Sequence, residues 1–312
     1  MINLVKNGIN GNISPRLNDL NNRKNISFSS LKDIFSKSSK NDEKACNENS
    51  SENRIKMLDK NFKTYEDEIF VDNKPVKLKF YKKSQYGSNP GMYAVDDKNN
   101  LYYTKQADEQ TKIEVFSSKL YKLAGIETAD MSLYRDKNGE FGLLSKYVEN
   151  EGALNSFSDK GSKKSVNKGF AVDAWLANWD AVISDNTLIT QNGAVRIDFG
   201  GCLDFRAMGG RKNNFGNNVP ELNTLINPNV NWQAASIYET MTRESLIDSL
   251  SKVVSIKNED IENLAKECDM EQYTDVLINR KNYLKNVFKK VIHTPQGDFE
   301  DIQTYMKKVT EQ

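Results

Sequence analysis

Residues 169–210 read GFAVDAWLANWDAVISDNTLITQNGAVRIDFGGCLDFRAMGG, and they constrain the chain more than any other stretch. Phe170, Ala174, Ala177 and Ala181 recur at helical spacing, with Val172, Trp175, Leu176 and Trp179 on the other faces. That pattern predicts a helix buried nearly all round. Ser184-Asp185-Asn186 is turn chemistry. Thr187-Leu188-Ile189-Thr190 and Ala194-Val195-Arg196-Ile197, joined by Gln191-Asn192-Gly193, predict a hairpin. The hairpin runs directly into Asp198-Phe199-Gly200-Gly201. A carboxylate at the mouth of an apolar hairpin needs a task there. Two glycines after it allow a sharp turn and leave room for a ligand.

The polar residues of this unit suggest what the task is. Asp180, near the end of the helix, is placed to orient a hydroxyl nucleophile. Asn186 and Asp198 offer the hard oxygens that magnesium prefers when it also holds a polyphosphate. Asp185 is a rival for the role of Asp180. The packed residues Trp175, Leu176 and Trp179 would hold Asp180 rigidly, whereas an aspartate in a Ser-Asp-Asn turn often caps its own backbone. Asp180 is therefore expected to be the base, with Asp185 a supporting turn residue.

Composition excludes several chemistries. Lys and Arg number 44 against 43 Asp and Glu, so no net field points to nucleic acid or an anionic membrane. Cys46, Cys202 and Cys268 lack metal-ligand spacing and do not form a disulfide framework, which fits a reducing compartment. The single histidine, His293, stands before Pro295-Gln296-Gly297 and is expected at the surface, so Ser–His–Asp and zinc–histidine catalysis are excluded. No apolar run is long enough to span a bilayer, and residues 1–14 lack the core of a signal peptide. The expected location is the cytoplasm of the producing cell, or a host cell reached without a cleavable signal.

Along the chain, residues 1–58 are rich in Asn, Ser and Lys. Residues 36–52 have too little apolar surface to offset the entropy of ordering. This segment is expected to be a disordered leader, either a plain solvated tail or the Ser/Asn-rich secretion leader of an effector; residues 28–35 could add a docked helical turn. Residues 69–71 with 76–81 alternate as hairpin strands do, and further hairpins are expected over 92–105 and over 131–134 with 141–148. Gly87-Ser88-Asn89-Pro90-Gly91 forms a glycine-flanked loop whose amides are free to approach phosphate oxygens. Lys105 ends an aromatic strand, as an edge-strand lysine or as a ligand to phosphate. A helix over residues 109–124 carries Ile113, Phe116, Leu120, Leu123 and Ala124 on one stripe, stopped by Gly125. Glu114 lies at the margin of that stripe, as a solvated charge or as the partner of Lys105. Tyr147-Val148-Glu149-Asn150 reads as a hinge with backbone groups for an adenine edge. Residues 151–168 read as a mobile loop. Residues 206–218, with Arg206, Arg211 and Lys212, read as a docking or phosphate-binding segment or as an ordinary solvated loop. From residue 222 the pattern is helical, with helices expected over 234–241, 242–254, 258–268 and 270–291.

Taken together, Gly87-Ser88-Asn89-Pro90-Gly91, Tyr103-Thr104-Lys105, Glu114, Leu176-Ala177-Asn178-Trp179-Asp180, Asp185-Asn186 and Arg196-Ile197-Asp198-Phe199-Gly200-Gly201 carry a resemblance. From 87 to 288 the chain resembles the atypical bacterial kinases related to the HipA toxin and to phosphatidylinositol kinases, and especially the kinase-like modules of phage-encoded and secreted effector proteins. The resemblance implies an α+β, two-lobed protein-kinase-like fold: a small antiparallel β N-lobe with one helix over 59–150, and a mostly helical C-lobe over 151–312. It implies ATP and Mg²⁺, with transfer of the γ-phosphoryl group to a Ser or Thr hydroxyl of a protein substrate. Lys105 would hold the phosphates and Glu114 would pair it. Gly87, Ser88, Asn89, Gly91, Tyr147 and Val148 would contact the nucleotide, Asp180 would be the base, and Asn186 and Asp198 would be the metal ligands. The expected partners are a protein substrate, which a host cell can supply, and a host activator, with no nucleic acid and no integral membrane contact. The sequence departs from the common kinase pattern in two places. Asn178-Trp179 stands where His-Arg usually precedes the base, and Asn186 falls one residue late. A lipid kinase, an AMP transferase and a nucleotide-binding docking module share the fold and are the competing readings.

Overall fold

The computed structural model describes residues 49–82, 91–106, 110–156, 160–183, 185–207, 209–295, 297 and 299–310. Six antiparallel strands are built by the alternating segments expected from the sequence. They are β1 (Thr64–Val71), β2 (Lys74–Tyr81), β3 (Gly91–Asp96), β4 (Leu101–Gln106), β5 (Met131–Asp136) and β6 (Phe141–Lys146). They close into a barrel in the order β1-β2-β3-β4-β6-β5. Closure comes from the pairing of β1 with β5 through Ile69–Asp136, Phe70–Arg135 and Val71–Tyr134. Local alternation specifies the hairpins, but this contact spans more than sixty residues. It is favoured because Ile69, Leu78, Phe80, Ala94 and Leu144 then bury one face of the strands together.

The opposite face of β2–β4 is covered by a helix that the sequence did not reveal. Ser51–Asn61 is helical, and the Ser50 side chain accepts a bond from the Asn53 amide at its start. Leu58 is fully buried against Tyr81, Tyr93, Val95 and Leu101. Folded structure thus begins ahead of residue 59, inside the stretch expected to be leader. A few apolar side chains suffice to dock this helix because the barrel presents an aromatic surface to receive them. Residues 1–48, with the helical turn expected over 28–35, lie outside the described residues.

The rest is mainly helical. The Thr111–Leu123 helix packs Ile113, Phe116 and Leu120 into a core that also takes Met131 and Leu143 from the barrel and Phe170, Trp175, Leu246 and Leu284 from the helices beyond. The expected mobile loop over 151–168 instead holds the short strand β7 (Gly152–Ala153) and the helix Lys160–Asn167. Val166 anchors that helix in the core, and Ser165 accepts a hydrogen bond from the Ala194 amide at 2.9 Å. β7 joins the predicted hairpin, β8 (Thr187–Thr190) and β9 (Gly193–Arg196), in a three-stranded sheet.

The helix expected from residue 169 is much shorter than its apolar pattern, covering Phe170–Trp175 alone. The helix closes on a tight turn, with the Ala177 amide on the Ala174 carbonyl at 3.1 Å, and a side chain also binds its last carbonyls. Arg280, fully buried, donates to the Ala174 carbonyl at 2.8 Å and the Trp175 carbonyl at 2.7 Å, and pairs with Glu221 at 2.7 Å. Four further helices fall close to expectation: Trp232–Tyr238, Arg243–Val254, Asn258–Glu267 and Thr274–His293. Thr242 and Ser245 form a reciprocal capping box on the second of these. A fifth helix, Ile302–Thr310, buries Ile302, Tyr305, Met306 and Val309. His293 ends its helix exposed. Cys202 is buried and Cys268 half-buried, both free; Cys46 lies outside the described residues. Among the described residues, no helix is long and apolar enough to cross a membrane.

Candidate active site

Strand alternation puts Lys105 on the same face of β4 as Leu101 and Tyr103, turned toward the Thr111–Leu123 helix. There its ammonium meets Glu114 at 3.0 and 3.2 Å, with the side chains only 19% and 4% exposed. Lys105 is therefore not on a sheet edge, since β4 pairs on both sides, and Glu114 is not a solvated helix charge. Burial opposes the charge on Lys105, but the carboxylates of Asp198 and then Glu114 outweigh it and raise the lysine's pKa. Lys105 therefore stays an ammonium between two carboxylates.

One polar cavity of about 50 Å³ gathers Lys105, Glu114, Asp180, Asn186 and Asp198 with Gln110, Asn178, Gly200, Gly201 and Ala207. These residues come from the barrel, from the helix beside it, and from the turns on either side of the β8–β9 hairpin. The Asn186 side-chain amide donates to the Asp180 carbonyl at 2.9 Å and so braces the loop ahead of β8. Asp198 accepts from the Gly200 amide at 3.1 Å. Burial, reinforced by the negative charge of Asp198 and opposed by Lys212, raises the pKa of the Asp180 carboxyl. Asp185 lies outside the cavity and accepts from Asn155 at 3.1 Å, in keeping with a turn residue.

The glycine pair matters for space rather than for backbone angle. A Cβ on Gly201 would stand 3.2 Å from Asp180 Oδ2, and one on Gly200 would stand 3.4 Å from Glu114 Oε1 and 3.6 Å from Asp198 Oδ1. The left-handed residues of this region are Ala177 (φ 52°) and Leu203 (φ 53°), which flank the two acidic turns. For residues with a Cβ this conformation costs on the order of 1–3 kcal/mol each, and such strain concentrates at functional sites.

Behind the cavity lies a buried polar network. Asp173, with no exposed surface, takes Arg196 at 2.7 Å, the Tyr121 hydroxyl at 2.6 Å and the Tyr238 hydroxyl. Asn178 joins it by donating to Tyr121 at 3.2 Å and to the Asp198 carbonyl at 3.5 Å. Asn178 thus links the network to the Asp198 turn.

The remaining nucleotide contacts expected from the resemblance are not all in this cavity. Gly87, Ser88 and Asn89 lie outside the described residues. Gly91 pairs with Lys105 across β3 and β4, and a Cβ there would fall 2.4 Å from the Tyr103 hydroxyl. Packing alone accounts for that glycine. Tyr147 and Val148 do not line the cavity. The Tyr147 amide donates to the Leu101 carbonyl at 2.9 Å, and the Val148 carbonyl accepts from Asn150 at 2.8 Å. Glu149 accepts from the Ser51 amide at 3.1 Å, so the expected hinge is tied to the first helix.

Gln110 was not legible in the sequence. Its side-chain amide donates to the Gly200 carbonyl at 2.9 Å and to the Arg206 carbonyl at 2.6 Å, which sets the rim of the cavity. The segment with Arg206, Arg211 and Lys212 was expected to dock a ligand or to lie in solvent. It is a closed loop, with the Lys212 amide on the Asp204 carbonyl at 2.6 Å and the Arg206 amide on the Gly210 carbonyl at 3.0 Å. Arg211 pairs with Asp204 and lies over the Phe205 ring, 4.4 Å from its centroid.

The donor set suits magnesium: one carboxylate (Asp198) and one amide (Asn186), both hard oxygens, beside a cationic Lys105 that a phosphate would face. No cluster of three or more His, Cys, Asp or Glu side chains among the described residues forms an all-protein metal cage.

No protein-family model matches the chain, and no curated protein matches it. Among solved structures it is similar to a Helicobacter pylori proinflammatory kinase, CtkA, with 15% identity over 69% of this chain and 96% of that one, at a TM-score of 0.47. It is also similar to the kinase domain of maize sucrose-induced receptor kinase 1 bound to AMP-PNP, with 12% identity over 71% of this chain and 88% of that one, at a TM-score of 0.26. Both of these structures are of protein kinases.

Proposed function

We propose that this protein is an ATP- and Mg²⁺-dependent phosphotransferase with a two-lobed kinase-like organisation, acting on a Ser or Thr hydroxyl of a protein. The observation that carries the reading is the convergence, in one polar cavity, of the Lys105–Glu114 pair with Asp180, Asn186 and Asp198. Those groups have distinct uses in phosphoryl transfer and no common structural use. Lys105 offers its charge to phosphate oxygens and Glu114 fixes its direction. Asp198 and Asn186 would hold the magnesium ion, which supplies charge neutralisation at the phosphates when bound. Asp180 orients the acceptor hydroxyl and takes its proton while the γ-phosphorus leaves the bridging oxygen of ADP for the hydroxyl oxygen. A carboxylate whose pKa burial has raised is the better base for that step. The open floor left by Gly200 and Gly201 keeps a methyl group out of the space between the three carboxylates. The acceptor is proposed to be a protein, including one of a host cell, in line with the Ser/Asn-rich composition of residues 1–48.

Incubation with γ-labelled and α-labelled ATP, Mg²⁺ and a eukaryotic lysate tests this. Protein labelled from the γ position alone is the expected result. Label from the α position would mean AMP transfer, labelled lipid would mean a lipid kinase, and no label in any fraction would mean a docking module or an activator missing from the lysate.

A further inference from the structure

Lys212 is absent from the cavity lining, yet its ammonium has a more specific environment than any exposed lysine. It donates to the carbonyls of Ala177 at 2.6 Å, Gly201 at 2.6 Å and Leu203 at 3.0 Å. An ammonium has three N–H donors, and here each has a carbonyl. Those carbonyls belong to two separate turns. Ala177 opens the turn that leads through Asn178 to Asp180, while Gly201 and Leu203 close the turn that follows Asp198. Ala177 and Leu203 are also the two left-handed residues of the region, a conformation that persists only where the surroundings enforce it. The lysine is delivered by a small hairpin in which Phe205 bridges Arg211, with Gly209 and Gly210 at positive φ making the bend. Asp204, at its base, is held by the Tyr273 hydroxyl at 2.6 Å.

We infer that Lys212 is a positioning residue for the transfer step, locking the Asp180 turn to the Asp198 turn so that both carboxylates face one cavity. The inference rests on the phosphotransferase reading for its kinetic consequence and on geometry for the lock. Lys212 touches neither carboxylate, so its removal should disturb the alignment of the base with the phosphate more than it disturbs nucleotide binding. Burial also lowers its pKa to about 8, against the opposing influence of Cys202, Glu221 and Asp180 and alongside that of Arg280, the charged and titratable groups that face it. Loss of the proton would leave two donors for three carbonyls.

The test is K212M in the full chain, with γ-labelled ATP, Mg²⁺ and casein as the acceptor. We expect kcat to fall by about 100-fold, the scale of a misplacement near 1 Å, with KM for ATP within about threefold and a cooperative melt retained. A kcat within about threefold of wild type overturns the inference. So does a raised KM with unchanged kcat, which would place Lys212 on the nucleotide. If K212M does not fold, the wild-type pH profile replaces it: kcat should decline as pH rises through about 8 without a loss of stability, since the unfolded lysine keeps its proton to higher pH than the folded one, and a flat profile overturns the inference. Wild type that transfers no label is a failure of the phosphotransferase reading instead. Amide hydrogen exchange over residues 176–178 and 200–203 then decides: faster exchange in K212M supports the lock, and unchanged exchange overturns it.

Discussion

Glu114→Gln isolates what the lysine–glutamate pair does, because the amide keeps the shape and one acceptor oxygen while removing the charge. At 3.0 Å the pair attracts by about 5 kcal/mol at an effective dielectric constant near 20. Most of that offsets the desolvation of two nearly enclosed groups, and charge-assisted bonds of this kind contribute about 1.5–3 kcal/mol net. Lys105 is not left bare, since Asp198 also attracts it. We therefore expect a loss of about 2 kcal/mol, or a fall in Tm of roughly 3–4 °C for a chain of this size. The functional effect should exceed the structural one. Without Glu114, Lys105 swings toward Asp198 and competes for its carboxylate, so transfer should drop by about 100-fold and half-maximal activity should need more Mg²⁺. Differential scanning calorimetry and a Mg²⁺ titration of the labelled-ATP assay read both effects. Adding K105M to E114Q should recover part of the lost stability, because the uncompensated lysine is gone, while leaving transfer abolished. An E114Q protein with unchanged Tm and an unchanged Mg²⁺ requirement would refute the idea that this pair directs the lysine.

Asp180→Asn should lower kcat strongly with little change in ATP affinity, and Asp185→Asn should cost less at every Mg²⁺ concentration; the reverse ranking in the same assay would move the base to Asp185. Because burial and Asp198 raise the pKa of Asp180, transfer should be retained above that folded-state pKa and lost as pH falls through it, with an acid limb of kcat above the ordinary value of 3.8; a limb at or below that value in a pH–rate profile would remove Asp180 from the base role. Leu58→Ala should destabilise the protein by about 2–5 kcal/mol, because a fully buried leucine leaves a cavity between the first helix and the barrel; an unchanged denaturation midpoint would show that this helix is not part of the fold.

Much of the fold was legible because it rests on short-range regularity. The strands of the barrel, the β8–β9 hairpin, the Thr111–Leu123 helix with its glycine stop and the later helices all follow from spacing that a window of ten to twenty residues contains. Lys105 and Asp198 stood out for a related reason: each puts a charge at the end of an apolar strand, where it has no local explanation, and Glu114, Asp180 and Asn186 were picked out by their positions around them and by the resemblance. The Ser51–Asn61 helix was missed because its weakly apolar sequence becomes worth ordering only beside Tyr81, Tyr93, Val95 and Leu101. The short Phe170–Trp175 helix defied its own periodicity: the chain turns at left-handed Ala177, and Arg280, more than a hundred residues away, binds the carbonyls of Ala174 and Trp175.

The residue types in this chain therefore dictated its elements and marked the acids, the amide and the lysine as candidates for the site. Their assembly was a matter of distant partners. Closure of the barrel through β1 and β5, the hydrogen bonds of Gln110 to two loop carbonyls and the reach of Lys212 back to the Ala177 carbonyl all join residues far apart in sequence. Such contacts leave no periodic trace, because a buried donor is placed by whichever backbone oxygens the folded core brings within its reach.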